Sequence, residues 1–159
     1  MLKYLARRLL YSFRKDAVTI DALDNKQRNE ESDMGNIKAV FVGTGMIGAG
    51  LAANAMLNGY QTVLYDVVPH EKMRQNISHI LDILVGAGAA TREQADAALN
   101  ACHFSNDLED AVKGANFVQE CIPERLELKK STYATIQKVT GPDAIICSST
   151  SKLFPTKLQ

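Results

Sequence analysis

The sequence predicts an α/β fold, a doubly wound parallel sheet with a helical N-terminal leader, and three observations carry that reading. Short apolar, β-branched runs alternate with helix-periodic segments from Ile37 onward, the pattern of successive βαβ units. A glycine-rich turn, Gly43-Thr44-Gly45-Met46-Ile47-Gly48, joins the first run to the first helical segment. An acid, Asp66, closes the second run.

The elements follow in order. Ile37–Val42 is a short apolar run suited to a buried strand. Met46–Asn58 is Ala-rich and helix-favouring, and Gly59 is placed to stop it. Gln61–Asp66 is the next strand. Over Pro69–Val85, Met73, Ile77, Ile80, Leu81 and Leu84 share one helical face, and Pro69 suits a first turn. Thr91 with Gln94 three residues on is a capping-box signature for a helix reaching Ala101. A short strand at Cys102–Ser105 and a short helix at Leu108–Val112, closed by Gly114, precede a strand at Asn116–Glu120. Pro123–Val139 reads as a charged amphipathic helix ended by Gly141-Pro142, and Ala144–Cys147 is the last strand.

Composition excludes several classes. The chain has 159 residues, 46% of them apolar, which lets one domain bury a core. Lys+Arg and Asp+Glu balance at 18 each, so no basic face is available to neutralise nucleic-acid phosphates. No apolar run approaches the roughly 18 residues of a membrane span. Cys102, Cys121 and Cys147 form no CxxC pair and no metal-ligand spacing, so no metal site is expected. They read as small hydrophobes in a reducing compartment, and a cytoplasmic location is expected.

Residues 1–33 differ from the rest. Lys3, Arg7, Arg8, Arg14 and Lys15 precede the first acid, Asp16, while Leu2, Leu5, Leu9 and Phe13 recur at helical spacing. The segment reads as a basic amphipathic leader, followed over residues 21–33 by a polar linker. Two readings stand for it. The working protein starts at Met34, or the leader serves targeting or a membrane surface, with a mitochondrial location as the alternative if it is a presequence. The domain proper is expected over 34–159.

The glycine turn has the context that G-x-G-x-x-G requires, after a strand and before a helix. Gly43 permits the tight turn, Gly45 lets backbone approach a pyrophosphate, and Gly48 lets helix pack close on strand. The helix N-terminus then offers free N–H groups to phosphate. Asp66 lies 23 residues after Gly43, where an acid accepts hydrogen bonds from the adenosine ribose. It also repels a 2′-phosphate, and neighbouring Val67 and Val68 supply no guanidinium. These features imply a Rossmann-type unit that prefers NAD to NADP.

Beyond the loop, more specific wording appears: QECIPERLELK at 119–129 and SSTSKLFP at 148–155. With GTGMIG at 43–48 and LYD ending at Asp66, these segments resemble the NAD-binding domain of the 3-hydroxyacyl-CoA dehydrogenase family, from Ile37 to Gln159. The resemblance implies cofactor contacts for Glu124 and Lys129, and for Ser151 a place near the nicotinamide and the substrate hydroxyl. Ser151 is thus the candidate catalytic residue. Cofactor binding falls to Gly43, Thr44, Gly45, Met46, Ile47, Gly48, Asp66, Glu124, Lys129 and Ser151. The bland readings are a helix-start acid for Glu124, a solvated charge for Lys129 and a hydroxyl-rich turn for residues 148–151.

Two departures from the family pattern matter. The family's catalytic histidine, in a His-x-x-Asn-Pro context beyond the serine motif, has no counterpart among His70, His79 and His103. The chain is therefore expected to be the cofactor-binding part of such an enzyme, without the catalytic histidine or the helical domain through which full-length relatives are expected to form homodimers. Residues 77–88, ISHILDILVGAG, also lack a match to the serine–lysine arrangement that holds coenzyme A in the family, and Ser149 replaces the usual asparagine. The implied reaction is NAD-dependent oxidation of a 3-hydroxy group on an acyl-CoA or a small 3-hydroxy acid. The wording is also close to carnitine and L-gulonate 3-dehydrogenases. A non-catalytic NAD-binding module is the reading from another class.

Asp66 generates the first test. The purified chain should bind NADH more tightly than NADPH, and Asp66→Ala should narrow the gap by about 1.5–3 kcal/mol, the worth of a charge-assisted hydrogen bond. Calorimetric titration giving equal or tighter NADPH binding removes the assignment.

Overall fold

In the computed structural model, residues 36–153 and Thr156 are described. The leader and linker expected over residues 1–33 lie outside them. Five strands, β1 (Lys38–Val42), β2 (Gln61–Tyr65), β3 (His103–Ser105), β4 (Phe117–Glu120) and β5 (Ile145–Ser148), form one sheet in the order β3-β2-β1-β4-β5. Every pairing is parallel. The chain starts in the middle, builds outward to β3, then crosses β1 to lay down β4 and β5. The reversal between β1 and β4 is the switch point where doubly wound sheets open a crevice at their carboxyl ends.

Buried parallel strands need apolar side chains on both faces, and β1 supplies them. Ala39 and Phe41 face α1 (Met46–Leu57), α2 (His70–Gly86) and α3 (Arg92–Ala101), packing with Ala49, Ala52, Ala53, Met73, Ile77 and Leu81. Val40 and Val42 face the opposite layer, with Val63, Val118, Val112 of α4 (Leu108–Val112) and Ile136 of α5 (Leu126–Val139). Small alanines on α1 let that helix lie close on the sheet, which brings its N-terminus over the end of β1.

Local signals set most boundaries. Gly59 ends α1 at φ +84°, a conformation costly for a residue with a Cβ. Pro69 stands just outside α2, and its carbonyl accepts from Lys72 and Met73 at 2.9 and 3.1 Å. The capping box is present in both directions: Thr91 Oγ1 accepts from the Gln94 amide at 3.1 Å, and Gln94 Oε1 accepts from the Thr91 amide at 2.9 Å. One boundary differs by more than one residue. The helix expected from Pro123 begins at Leu126, with Arg125 at its N-cap. The Arg125 amide donates to the Pro123 carbonyl at 2.7 Å, and the Glu124 carboxylate is held by a segment outside the helix. Residues 123–125 thereby form a turn rather than a first helical turn.

The capping box makes a local prediction. Thr91→Ala should lower stability by about 1 kcal/mol, read from urea unfolding. An unchanged midpoint would mean that α3 is held by packing alone.

Candidate functional site

The crevice edge is formed by three loops: residues 43–48 after β1, 121–125 after β4 and 149–152 after β5. Close packing fixes the first against the second. A Cβ on Gly43, which has φ +100°, would lie 2.8 Å from the Cys121 carbonyl oxygen. One on Gly48 would lie 1.9 Å from the Gly43 carbonyl oxygen. Neither position tolerates a side chain. Gly45 is different: it is exposed, and an added Cβ meets nothing within 4 Å. Open space therefore stands before the glycine whose backbone would meet a pyrophosphate. Helix α1 begins there without a side-chain cap and without an acid in its first turn, so its leading N–H groups are left for an anion. These features fit a dinucleotide. Met46 and Ile47 are exposed beside the loop, as is Val67 next to Asp66.

Asp66 comes directly after β2 and is half-buried. Its Oδ2 accepts from the Thr44 amide at 2.7 Å and the Thr44 hydroxyl at 2.8 Å, and its Oδ1 accepts from the Val67 amide at 2.7 Å. Thr44 is fully buried, and both its donors face Asp66. Two asparagines that sequence reasoning did not single out complete this half. Asn76 Nδ2 donates to the Thr44 carbonyl at 2.9 Å. Asn106 Nδ2 donates to the carbonyls of Asp66 at 2.6 Å and Val68 at 2.8 Å.

The other half centres on a residue the sequence reading missed, Glu120, whose side chain is 0% exposed. Its Oε1 accepts from Lys129 Nζ at 2.6 Å and the Ile122 amide at 2.7 Å. Its Oε2 accepts from the Tyr133 hydroxyl at 2.5 Å and the Ser148 hydroxyl at 2.7 Å. Burial pushes the Glu120 carboxyl up, but the four donors outweigh it and hold the group below the ordinary carboxylate range. Tyr133 is pushed up in turn, by burial first and by its bond to Glu120 second. The signal in the sequence was an acid ending an apolar strand, with Lys129 nine residues on.

Glu124 and Lys129, expected beside the cofactor, are placed differently from one another. Lys129 is 1% exposed, with its ammonium on Glu120, on the Ile122 carbonyl at 3.2 Å and 3.7 Å from Glu124 Oε2. It is not a solvated helix charge. Glu124 reaches across to the last loop: its carboxylate accepts from the Thr150 hydroxyl at 2.7 and 2.9 Å, the Ser151 amide at 2.6 Å and the Lys152 amide at 3.2 Å. The Thr150 hydroxyl and those amides draw its pKa down to about 2, with Lys129 helping. Ser151 is exposed, its backbone fixed by Glu124. Ser149 points inward, accepting from Gln119 Nε2 at 2.9 Å and lying 3.3 Å from Cys121 Sγ. The expectation of buried, inert thiols fits Cys102, which burial pushes up to about 12. Cys121 and Cys147 are only half-buried.

The family model described as 3-hydroxyacyl-CoA dehydrogenase, NAD binding domain, matches residues 38–159. The chain belongs to that family. It carries the family's NAD-binding domain, and its cofactor is NAD. Among similar proteins, an L-carnitine dehydrogenase of a Pseudomonas species is 37% identical over 118 residues, covering 73% of this chain and 36% of the relative. A 5-formyl-3-hydroxy-2-methylpyridine 4-carboxylate 5-dehydrogenase of Mesorhizobium japonicum is 38% identical over 121 residues, covering 75% and 38%. The crystal structure of 3-hydroxybutyryl-CoA dehydrogenase from Escherichia coli superposes with a TM-score of 0.68 at 29% identity, over 77% of this chain and 26% of that one. The chain thus spans little more than a third of the length of the curated relatives it matches. Among the described residues, no helix is long and apolar enough to cross a membrane.

Within this NAD-binding domain, the three histidines lie outside the crevice loops in the chain. His70 opens α2, with its ring 6.3 Å from that of Phe104, His79 is exposed on α2, and His103 begins β3.

The buried ion pair supplies a stability test. Glu120→Gln leaves the buried Lys129 ammonium with only Glu124, 3.7 Å away, as a charge partner and should cost roughly 3 kcal/mol, the lower end for breaking a buried pair. The double variant Glu120→Gln with Lys129→Met removes both charges and should recover part of that loss. Urea unfolding of both variants decides it, and a single variant as stable as the parent would mean water reaches this carboxylate.

Proposed function

We propose that this chain is the cofactor-binding part of an NAD-dependent dehydrogenase that oxidises the secondary alcohol of a 3-hydroxy acid or its thioester. Membership of the 3-hydroxyacyl-CoA dehydrogenase family supports the reaction class. The observation that carries the reading is the hydroxyl loop after β5, tied through its Thr150 hydroxyl and its Ser151 amide to Glu124, on the same sheet edge as the glycine loop. In this reading the exposed Ser151 of that loop meets the substrate oxygen beside the cofactor.

In this reading the glycine loop holds the pyrophosphate, and Asp66 takes the adenosine ribose. Bound there, NAD accepts a hydride from the carbinol carbon. Ser151 orients the substrate oxygen through its hydroxyl. Glu124 keeps that serine in register and stays ionised across the working pH range, as a carboxyl with a pKa of about 2 does. Lys129 acts on the same loop through its charge beside Glu124 and Glu120. Oxidation also needs a base for the hydroxyl proton, and none of the three histidines has the His-x-x-Asn-Pro context of the family's base.

A second reading on substrate has its own support. The L-carnitine dehydrogenase of Pseudomonas is 37% identical to this chain, residues 77–88 lack a serine–lysine pair for coenzyme A, and Ser149 occupies the asparagine position of the family motif. These favour a small 3-hydroxy acid, such as carnitine, over an acyl-CoA.

The test is spectrophotometric. The chain should bind NADH, with a fluorescence change on titration, and show no sustained NADH consumption with acetoacetyl-CoA, dehydrocarnitine or 3-dehydrogulonate. General-base catalysis contributes about 10²–10⁴ in rate, so its absence is visible even at high enzyme concentration. Sustained turnover with one of the three identifies the substrate class and refutes the missing base. Failure to bind NADH removes the cofactor reading itself.

A further inference from the structure

We infer that Thr44 is a specificity-determining positioning residue: its side-chain hydroxyl fixes the Asp66 carboxylate in the orientation that admits NAD and rejects NADP. The inference takes NAD as the cofactor and concerns how the loop selects it.

A threonine in the first variable position of the glycine turn is an unusual thing to bury. Its backbone is the part the turn needs, and a glycine or alanine would serve the turn as well. Here the residue is 0% exposed, so its hydroxyl must have a partner within the protein. That partner is Asp66 Oδ2, at 2.8 Å, and the Thr44 amide meets the same oxygen at 2.7 Å. With the Val67 amide on Oδ1, three of the roughly four acceptor positions of a carboxylate are filled. The position left over is on Oδ1, which accepts only from the Val67 amide. One carboxylate rotamer is thereby selected, and one acceptor position is left for a ribose hydroxyl.

Both ends of this linkage are themselves anchored. Asn76 holds the Thr44 carbonyl, so the glycine turn cannot carry the hydroxyl away from Asp66. Asn106 spans the carbonyls of Asp66 and Val68, so the chain beyond β2 cannot swing the carboxylate outward. Asp66 is held by three elements, and no cation stands beside it at Val67 or Val68 to soften its charge. A fixed anion discriminates between a neutral hydroxyl donor and a 2′-phosphate more sharply than one free to rotate away, because rotation lets the phosphate escape the repulsion.

The experiment uses the whole chain and three variants, with Kd for NADH and for NADPH as the readout. Thr44→Val keeps the shape and the amide but removes the hydroxyl. It should weaken NADH binding about tenfold, the loss of one bond to a charged group, while NADPH binding stays level or tightens. Thr44→Ser restores the hydroxyl and should restore the NADH preference. Asn106→Ala, at an exposed position, should narrow the preference in the same direction and carries the test if Thr44→Val does not fold. A merely structural role for Thr44 weakens both cofactors by one common factor. That outcome, an unchanged ratio, or Thr44→Ser behaving like Thr44→Val overturns the inference. A parent chain with no affinity for NADH overturns it together with the cofactor reading.

Discussion

Glu120 is a carboxylate that no water solvates, and the half of the crevice beside β4 and β5 is arranged around that constraint. A buried anion persists only if donors replace its hydration shell. The four that do so come from the loop after β4, from two turns of α5 and from the end of β5. Each donor therefore does two things at once. It neutralises Glu120 and fixes the backbone segment that carries it. Ile122 is pinned twice, its amide by Glu120 and its carbonyl by Lys129, and Ile122 with Cys121 is the surface against which Gly43 and Gly48 pack without a Cβ to spare. The shape of the glycine loop thus depends on an ion pair outside it.

The opposite half is built on a weaker principle. Asp66 is only half-buried, and its partners are neutral: a threonine, a following amide and, through the backbone, two asparagines. Neutral partners leave its negative charge uncompensated, which is what recognition of a ribose and exclusion of a phosphate require. Glu120 meets an ammonium at 2.6 Å and has no acceptor position left for a ligand. Of the two carboxylates, one is neutralised and holds the scaffold, and the other keeps its charge at the crevice edge, where the proposed reading puts the ribose.

Most of the fold was legible because its signals are local. Capping at Thr91, stops at Gly59 and Gly114, and short apolar strands each fix a boundary without help from distant residues. Glycine spacing with an acid at the end of the second strand likewise pointed to an NAD-binding domain, as the family match has it. The features that escaped were non-local. Glu120 reads as an ordinary strand-end acid until Lys129, Tyr133 and Ser148 are brought to it by α5 and β5. Asn76 and Asn106 are plain polar residues on a helix face and in a turn, 32 and 40 positions from the groups they hold. The start of α5 was misplaced for the same reason. Pro123 with Glu124 next to it is a good helix opening by local rules, but the amides of Ser151 and Lys152 and the Thr150 hydroxyl offer that carboxylate more than a helix dipole does.

The position of Ser151 arises from these competing demands. On the proposed reading the Ser151 hydroxyl must be exposed, and an exposed loop after an edge strand is ordinarily the least fixed part of such a sheet. Among the described residues, β5 is hydrogen-bonded on one side only, to β4, so the sheet does little to hold residues 149–152 in place. The loop is held instead from its backbone. Ser148 ties its first residue to Glu120, Ser149 turns inward to Gln119, and Glu124 takes the Ser151 amide at 2.6 Å. Every hydroxyl of the motif but the last is held by a protein partner, and Ser151 is exposed with its amide on Glu124. A run of four hydroxyl residues is in this way neither redundant nor a simple turn: three members build the platform on which the fourth is presented.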